Sequence, residues 1–234
     1  MFDFSNLARI TTLALADSVN PCEIAVLTMV LMSILIQNPD KRKKVLYAGL
    51  AFVSSVFIGY IFYGVVLVQF FKTATEFLRQ NSSIIYNSLA VLAMILGALN
   101  IKDFFYYKAG SVGTEMPLFL RPKVKKIINK ITSPKGAFVV GFLVTIFLLP
   151  CTIGPYIVAS GILSSLTIFQ SSLWLIYYNI IFVLPMLAIT LIIYFGFAQI
   201  DEVSGWKEKN IKILHLVAGI LLFLIGLALL IGWI

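Results

Sequence analysis

Long apolar stretches alternate with short polar or basic segments along the whole chain. Each stretch is long enough, at about 1.5 Å of helical rise per residue, to cross an apolar layer about 30 Å thick. None shows the strict apolar and polar alternation of a membrane β-strand, so the pattern predicts transmembrane helices. Six spans are predicted, at residues 7–37, 44–71, 84–101, 136–163, 169–198 and 211–233.

The composition agrees with this pattern. Of the 234 residues, 60% are hydrophobic and 12% are charged. A soluble globule of this length has too little interior to hide so much apolar surface. The sequence therefore predicts an all-α integral membrane protein that forms a single membrane domain over residues 1–234.

Basic residues mark one side of the membrane. Of the 18 Lys and Arg residues, all but Arg9, Lys72 and Arg79 fall in the first, third and fifth connections or in the first two residues of the span that follows. Because cytoplasmic loops hold the excess of positive charge, both termini are expected outside the cytoplasm. The net charge of +8 then reflects this topology and attraction to anionic lipid in the bilayer, and no nucleic-acid partner is expected.

The chain contains an internal repeat. Its two cysteines occur in NPCEIAVL and LPCTIGPY, and Cys151 follows Cys22 at an offset of 129 residues (151 minus 22). The same offset places Gly226 on Gly97. Since each half holds three predicted spans, an odd number, the second half enters the membrane from the opposite side. The sequence therefore predicts an inverted repeat.

The repeat divides the membrane domain into a first three-helix unit at residues 1–101 and a second at 136–234. The basic stretch 102–135 joins them as a cytoplasmic linker. Within this linker, RPKVKKIINKI has the pattern of a short basic amphipathic helix, which is predicted to lie on the membrane surface.

A proline precedes each cysteine. Proline inside a helix removes one backbone hydrogen bond and clashes with the preceding turn, so helices 1 and 4 are predicted to be broken or kinked at Pro21 and Pro150. Gly154 and Pro155, shortly after the second cysteine, are predicted to loosen the fourth helix further. Helical rise counted from opposite faces puts both cysteines near the midplane, where half-helix N-termini favour the reactive thiolate.

Two other interpretations of the cysteines stay open at this point. Buried cysteine often serves only for packing, although two cysteines after prolines at equivalent positions of a repeat favour redox pairing. An inverted repeat with broken helices also suits a secondary transporter of a small solute or of a soft metal cation such as Cu(I), which thiolates bind well.

The paired Pro-Cys motifs, the six-span layout, the outward termini and the inverted repeat resemble one family over essentially the whole chain. This family comprises the cytochrome c biogenesis membrane protein CcdA and the membrane domain of the thiol:disulfide interchange protein DsbD. The resemblance implies that Cys22 and Cys151 are the redox pair and that Pro21 and Pro150 shape the broken helices around them.

The same resemblance implies an activity, partners and a location. The protein is expected to be a thiol:disulfide oxidoreductase that transfers two electrons from cytoplasmic thioredoxin to an extracytoplasmic thioredoxin-like protein, for cytochrome c maturation or disulfide reduction. A prokaryotic plasma membrane is the expected location. No cofactor and no metal ion is expected.

Polar side chains near the first motif are candidates for more than one role. Asn20 has the place of a helix N-cap, and Glu23 that of the matching residue in a capping box. Glu23 is alternatively a candidate to accept the proton of the neighbouring thiol. Asp17, five residues before Cys22, is a candidate for proton relay or for a capping or interfacial position. His215 is expected to be an interfacial histidine near the start of the last span.

Overall fold

The structure, a computed structural model, describes residues 4–19, 21–37, 42–77, 82–107, 118–119, 121–128, 133–196 and 200–231. Within these ranges the chain forms eight helices and no strand. The helices are α1 (Phe4–Ser18), α2 (Pro21–Gln37), α3 (Arg42–Phe77), α4 (Ser82–Phe105), α5 (Arg121–Ile128), α6 (Pro134–Leu163), α7 (Ile168–Phe195) and α8 (Ile200–Leu230).

Four of these helices, α3, α4, α7 and α8, are long and apolar enough to cross a membrane on their own. Helices α1 and α2 pass the same test only together, as a pair bent by 49°, which is the geometry of either a broken span or a re-entrant loop. Helix α6 has the length of a span, at 30 residues. The prediction of an all-α membrane protein is confirmed, and the count of six spans stays a prediction.

The break predicted at the first Pro-Cys motif is present. Helix α1 ends at Ser18 and α2 begins at Pro21. The physical reason is steric, because the proline ring disfavours helical backbone angles in the residue before it. Asn20 lies outside the described residues, so its N-cap role stays a prediction.

A break at Pro150 is wrong, because α6 is one helix from Pro134 to Leu163, whereas a kink there stays a prediction. Proline costs a membrane helix one backbone hydrogen bond, whereas ending the helix in apolar surroundings would leave several backbone groups unsatisfied. The same reasoning accounts for Pro185, which lies inside the continuous helix α7. Helix 1 is thus broken and helix 4 is not.

Helices α4 and α8 cross in direct backbone contact. A methyl group placed on Gly97 would lie 2.7 Å from the backbone nitrogen of Phe223, and one on Gly226 would lie 2.8 Å from the backbone nitrogen of Met94. The offset of 129 residues relates these two contacts to each other. Adding 129 converts Gly97 to Gly226 and Met94 to Phe223, so each contact is the equivalent of the other. The packing is therefore reciprocal between the positions that the sequence aligns.

Large apolar side chains cover the outside of the helix bundle. On α3, Ile58, Phe62, Val66 and Phe70 are all exposed at a spacing of four residues, which places them on one helix face. An apolar stripe of this size is unfavourable in water and favourable in lipid. The opposite face of α3 packs against α6 and α7, and this interior face holds the candidate site.

Helix α5 corresponds to the basic amphipathic segment of the linker, but its apolar face does not lie on lipid. Val124 and Ile128 are buried, and α5 contacts α2 and α6. The hydroxyl of Ser33 on α2 donates a hydrogen bond to the carbonyl oxygen of Ile128 at 3.3 Å. The apolar face of α5 therefore packs against protein, and the location of the helix on the membrane surface stays a prediction.

Candidate functional site

The first cysteine occupies the N-terminal turn of a helix inside the bundle. Cys22 is the second residue of α2, and its side chain is 9% exposed and belongs to the main hydrophobic core. Cys151 lies within α6. The side chains of Cys151, Pro21 and Pro150 lie outside the described part of the structure, so the pairing of the two cysteines stays a prediction.

The residues that follow the two cysteines meet at one hydroxyl group. The hydroxyl of Tyr60, on α3, lies 2.8 Å from Oγ1 of Thr152 and 3.4 Å from Oε1 of Glu23. The first distance is that of an ordinary hydrogen bond, and the second is a longer and weaker one. All three side chains are buried. The two Pro-Cys motifs, far apart in sequence, are therefore close together beside Tyr60 of α3.

A second tyrosine fixes this arrangement. The hydroxyl of Tyr156, one turn after Thr152 on α6, donates a hydrogen bond to the backbone carbonyl of Tyr60. It also accepts a hydrogen bond of 3.1 Å from the side-chain amide of Asn179 on α7. Glycine is needed at position 64, because a methyl group there would lie 2.5 Å from the Tyr156 hydroxyl. Helices α3, α6 and α7 are thus joined beside the motifs.

Asp17 belongs to the same buried region. Its side chain is buried, and the hydroxyl of Tyr178 on α7 donates a hydrogen bond of 2.9 Å to its Oδ2 atom. The ring of Tyr178 packs edge-on against that of Tyr156, with 5.1 Å between centroids. Its carboxyl therefore faces the bundle interior, and the proton-relay, capping and interfacial roles considered for Asp17 stay predictions.

The two carboxyl groups retain unused hydrogen-bonding capacity. Among the described residues, Oδ1 of Asp17 and Oε2 of Glu23 have no hydrogen-bond partner. Cys22 and Asp17 are both close enough to Glu23 to interact with its carboxyl electrostatically. Buried acids inside a membrane bundle are costly and commonly functional, and both the capping role and the proton-accepting role of Glu23 stay predictions.

The residues expected to loosen the fourth helix lie at a packing contact. A methyl group on Gly154 would lie 2.7 Å from Cδ1 of Leu96, so α6 approaches α4 closely there. Pro155 is buried beside it and remains helical. A hinge role for Gly154 and Pro155 stays a prediction.

His215 lies away from this region, between α4 and α8. It is buried, and its Nδ1 atom lies 3.0 Å from Oδ1 of Asn100. Its expected position near the membrane interface stays a prediction. Within the described ranges, no group of three or more His, Cys, Asp or Glu side chains is arranged to hold a metal ion.

Sequence reasoning missed the polar side chains that surround the motifs: Tyr60, Thr152, Tyr156, Tyr178 and Asn179. One usable signal was present. Thr152 aligns with Glu23 under the 129-residue offset, which places two polar side chains directly after the two cysteines. An asparagine in the middle of the apolar run of α7 was a second signal, because polar groups in a span usually face the interior.

Comparison with known proteins gives one match. The sequence model of a family described as the cytochrome C biogenesis protein transmembrane region matches residues 10–233. No curated protein and no solved structure shows significant similarity to the chain.

Proposed function

The chain belongs to the family of cytochrome C biogenesis protein transmembrane regions, and from this membership we propose that it carries two electrons across the membrane by thiol–disulfide exchange. Cys22 and Cys151 form the redox pair. The donor is cytoplasmic thioredoxin, and the acceptor is an extracytoplasmic thioredoxin-like protein that serves cytochrome c maturation or disulfide reduction. The observation that carries the proposal is the meeting of Glu23 and Thr152, the residues after the two cysteines, at the Tyr60 hydroxyl.

The exchange balances in two half-reactions. On the cytoplasmic side, a thioredoxin thiolate attacks the Cys22–Cys151 disulfide, and the mixed disulfide is resolved by the second thioredoxin cysteine. One disulfide breaks as one forms, and two electrons and two protons pass to the pair. On the other side, the dithiol reduces the acceptor disulfide in the same way and becomes oxidised again.

The pair must become accessible from each face in turn, because a thioredoxin cannot reach a thiol about 15 Å deep in a bilayer. We assign this movement to an inverted repeat with units at 1–101 and 136–234, joined by the cytoplasmic linker 102–135, with both termini outside the cytoplasm of a prokaryotic cell. The reciprocal contacts of Gly97 and Gly226 support the repeat. The 49° bend between α1 and α2 offers a place for the first unit to move.

Trapping of mixed disulfides tests the function directly. A thioredoxin that lacks its resolving cysteine, with its remaining cysteine held in a disulfide to thionitrobenzoate, is incubated with Cys22→Ser and Cys151→Ser variants in vesicles. The thiolate of the variant displaces thionitrobenzoate, so the mixed disulfide forms without a separate oxidant. At least one variant is expected to form a stable mixed disulfide, visible as a reducible band on a gel, because the remaining thiol has no partner to displace thioredoxin. The double-serine variant is the control and should form none. Absence of any mixed disulfide from either face, with a pair that never oxidises, would favour transport instead.

Replacement of Glu23 by glutamine tests whether its carboxyl handles the thiol proton. Glutamine fits a capping box as well as glutamate does, and its amide oxygen still accepts a hydrogen bond from Tyr60. If Glu23 only caps α2, the exchange rate should be unchanged. If it accepts the proton of Cys22, the rate of exchange with thioredoxin should fall by about 10²-fold. Stopped-flow thioredoxin fluorescence measures the rate, and Glu23→Asp, which keeps the acid, should retain more activity than Glu23→Gln.

A further inference from the structure

One tyrosine hydroxyl contacts both Pro-Cys motifs, and nothing in the sequence pattern singles it out. We propose that Tyr60 is a positioning residue that holds the two motifs together, so that the thiols of Cys22 and Cys151 stay within reach of each other. This inference rests on the proposed function, because it matters for electron transfer only if the two cysteines react together.

The positions of the contacts support this role. Thr152 directly follows Cys151 and Glu23 directly follows Cys22, so a group that binds both side chains constrains the backbone beside both cysteines. The two residues also occupy equivalent places in the repeat, since 23 and 152 differ by the same 129 residues. A single group that touches equivalent residues of both halves lies close to the axis that would relate them.

The hydroxyl can make both contacts at once. A tyrosine hydroxyl carries one donor hydrogen and can also accept a hydrogen bond, and a threonine hydroxyl can donate. Thr152 therefore donates to Tyr60 while Tyr60 donates to the carboxyl of Glu23, which agrees with the separations of 2.8 and 3.4 Å. Neither contact has to be given up for the other to form.

The surroundings hold the Tyr60 ring in place. Its ring packs edge-on against Phe182, with 4.9 Å between centroids, and against Tyr156, with 5.5 Å. Its backbone carbonyl accepts the hydrogen bond from the Tyr156 hydroxyl, for which Gly64 leaves room. A side chain locked by packing on several sides positions its partners well, because little conformational freedom remains to be lost.

Removal of the hydroxyl should separate the cysteines without removing the ring. In Tyr60→Phe and in Thr152→Val, we expect the rate at which dibromobimane, a short thiol-to-thiol cross-linker, joins Cys22 to Cys151 to fall about two- to tenfold, the range of one hydrogen bond. Thr152→Ser keeps the hydroxyl and should restore the wild-type rate. Because the chain has two cysteines, the fluorescent product reports this pair alone.

The chain offers a matched control on the same two helices. Tyr63 on α3 and Thr145 on α6 make a tyrosine–threonine hydrogen bond of 3.0 Å, away from the residues that adjoin the cysteines. Tyr63→Phe and Thr145→Val should leave the cross-linking rate unchanged. If these two variants slow cross-linking as much as Tyr60→Phe does, any loss of a hydrogen bond between α3 and α6 has this effect, and the proposal is wrong.

A redox titration provides the second readout. In glutathione buffers, Tyr60→Phe and Thr152→Val should lower the ratio of disulfide to dithiol by about the same factor as the cross-linking rate, where tenfold corresponds to about 30 mV. Wild-type values for both variants in both assays would overturn the proposal. If Tyr60→Phe fails to fold, the comparison of Thr152→Val with Thr152→Ser tests the proposal, because only Thr152→Ser keeps the hydroxyl. A wild-type pair that cross-links but never oxidises would refute the proposed function and leave the positioning role supported.

Discussion

Replacing either Cys22 or Cys151 by serine is expected to abolish electron passage across the membrane. A serine hydroxyl is not ionised near neutral pH and forms no disulfide, so neither half-reaction can be completed with one thiol. In vesicles with reduced thioredoxin inside and an impermeant protein disulfide outside, the rate of reduction outside should fall at least about 10³-fold, as when a catalytic nucleophile is lost.

The double-serine variant distinguishes a cooperating pair from two independent thiols. If the cysteines act as a unit, the double variant is no slower than either single one, because each single change already stops the reaction. Each variant should elute from a sizing column like the wild type, which separates loss of chemistry from loss of folding. A single variant that keeps most of the wild-type rate would contradict the two-cysteine mechanism.

Substitution of Gly97 or Gly226 by alanine is expected to have the largest effect on stability. The added methyl group would meet backbone atoms of the facing helix at 2.7 to 2.8 Å, and backbone cannot turn aside as a flexible side chain can. Overpacking of this kind costs about 1–3 kcal/mol or more. The expected result is a lower thermal unfolding midpoint in detergent for both variants, by similar amounts, because the two contacts are reciprocal.

Gly205, also within α8, provides the control for this effect. A methyl group there meets nothing within 4 Å, and alanine is favoured over glycine inside a helix by about 1 kcal/mol. Gly205→Ala should therefore keep or raise the unfolding midpoint. Equal destabilisation at Gly97 and Gly205 would show that the backbone contact between α4 and α8 is not the cause.

The two Pro-Cys motifs show which helix breaks local sequence can predict. The break before Pro21 follows from the restricted backbone of the residue preceding proline, which is a local property. The same local rule applies at Pro150, yet α6 continues through it. Whether a membrane helix breaks at proline depends on which neighbouring groups satisfy its backbone, and those neighbours come from other helices.

The amphipathic segment of the linker makes the same point. Its alternation of apolar and basic residues correctly predicts the helix α5. The sequence cannot say whether the apolar face meets lipid or protein, because both bury Val124 and Ile128 from water. The contact with α2 and α6 is decided by how the helices around it pack.

By itself, the sequence determined the membrane class, the long apolar helices, the break at Pro21 and the two cysteines as the candidate chemistry. These depend on apolar length, proline sterics and residue type, which are properties of short segments. The tertiary structure alone decided that the hydroxyl of Tyr60 contacts Glu23 and Thr152, and that Asp17 faces Tyr178. Such contacts depend on the depth and rotation of one helix against another. Close packing at a few small residues sets this depth and rotation, which the length of an apolar segment does not determine.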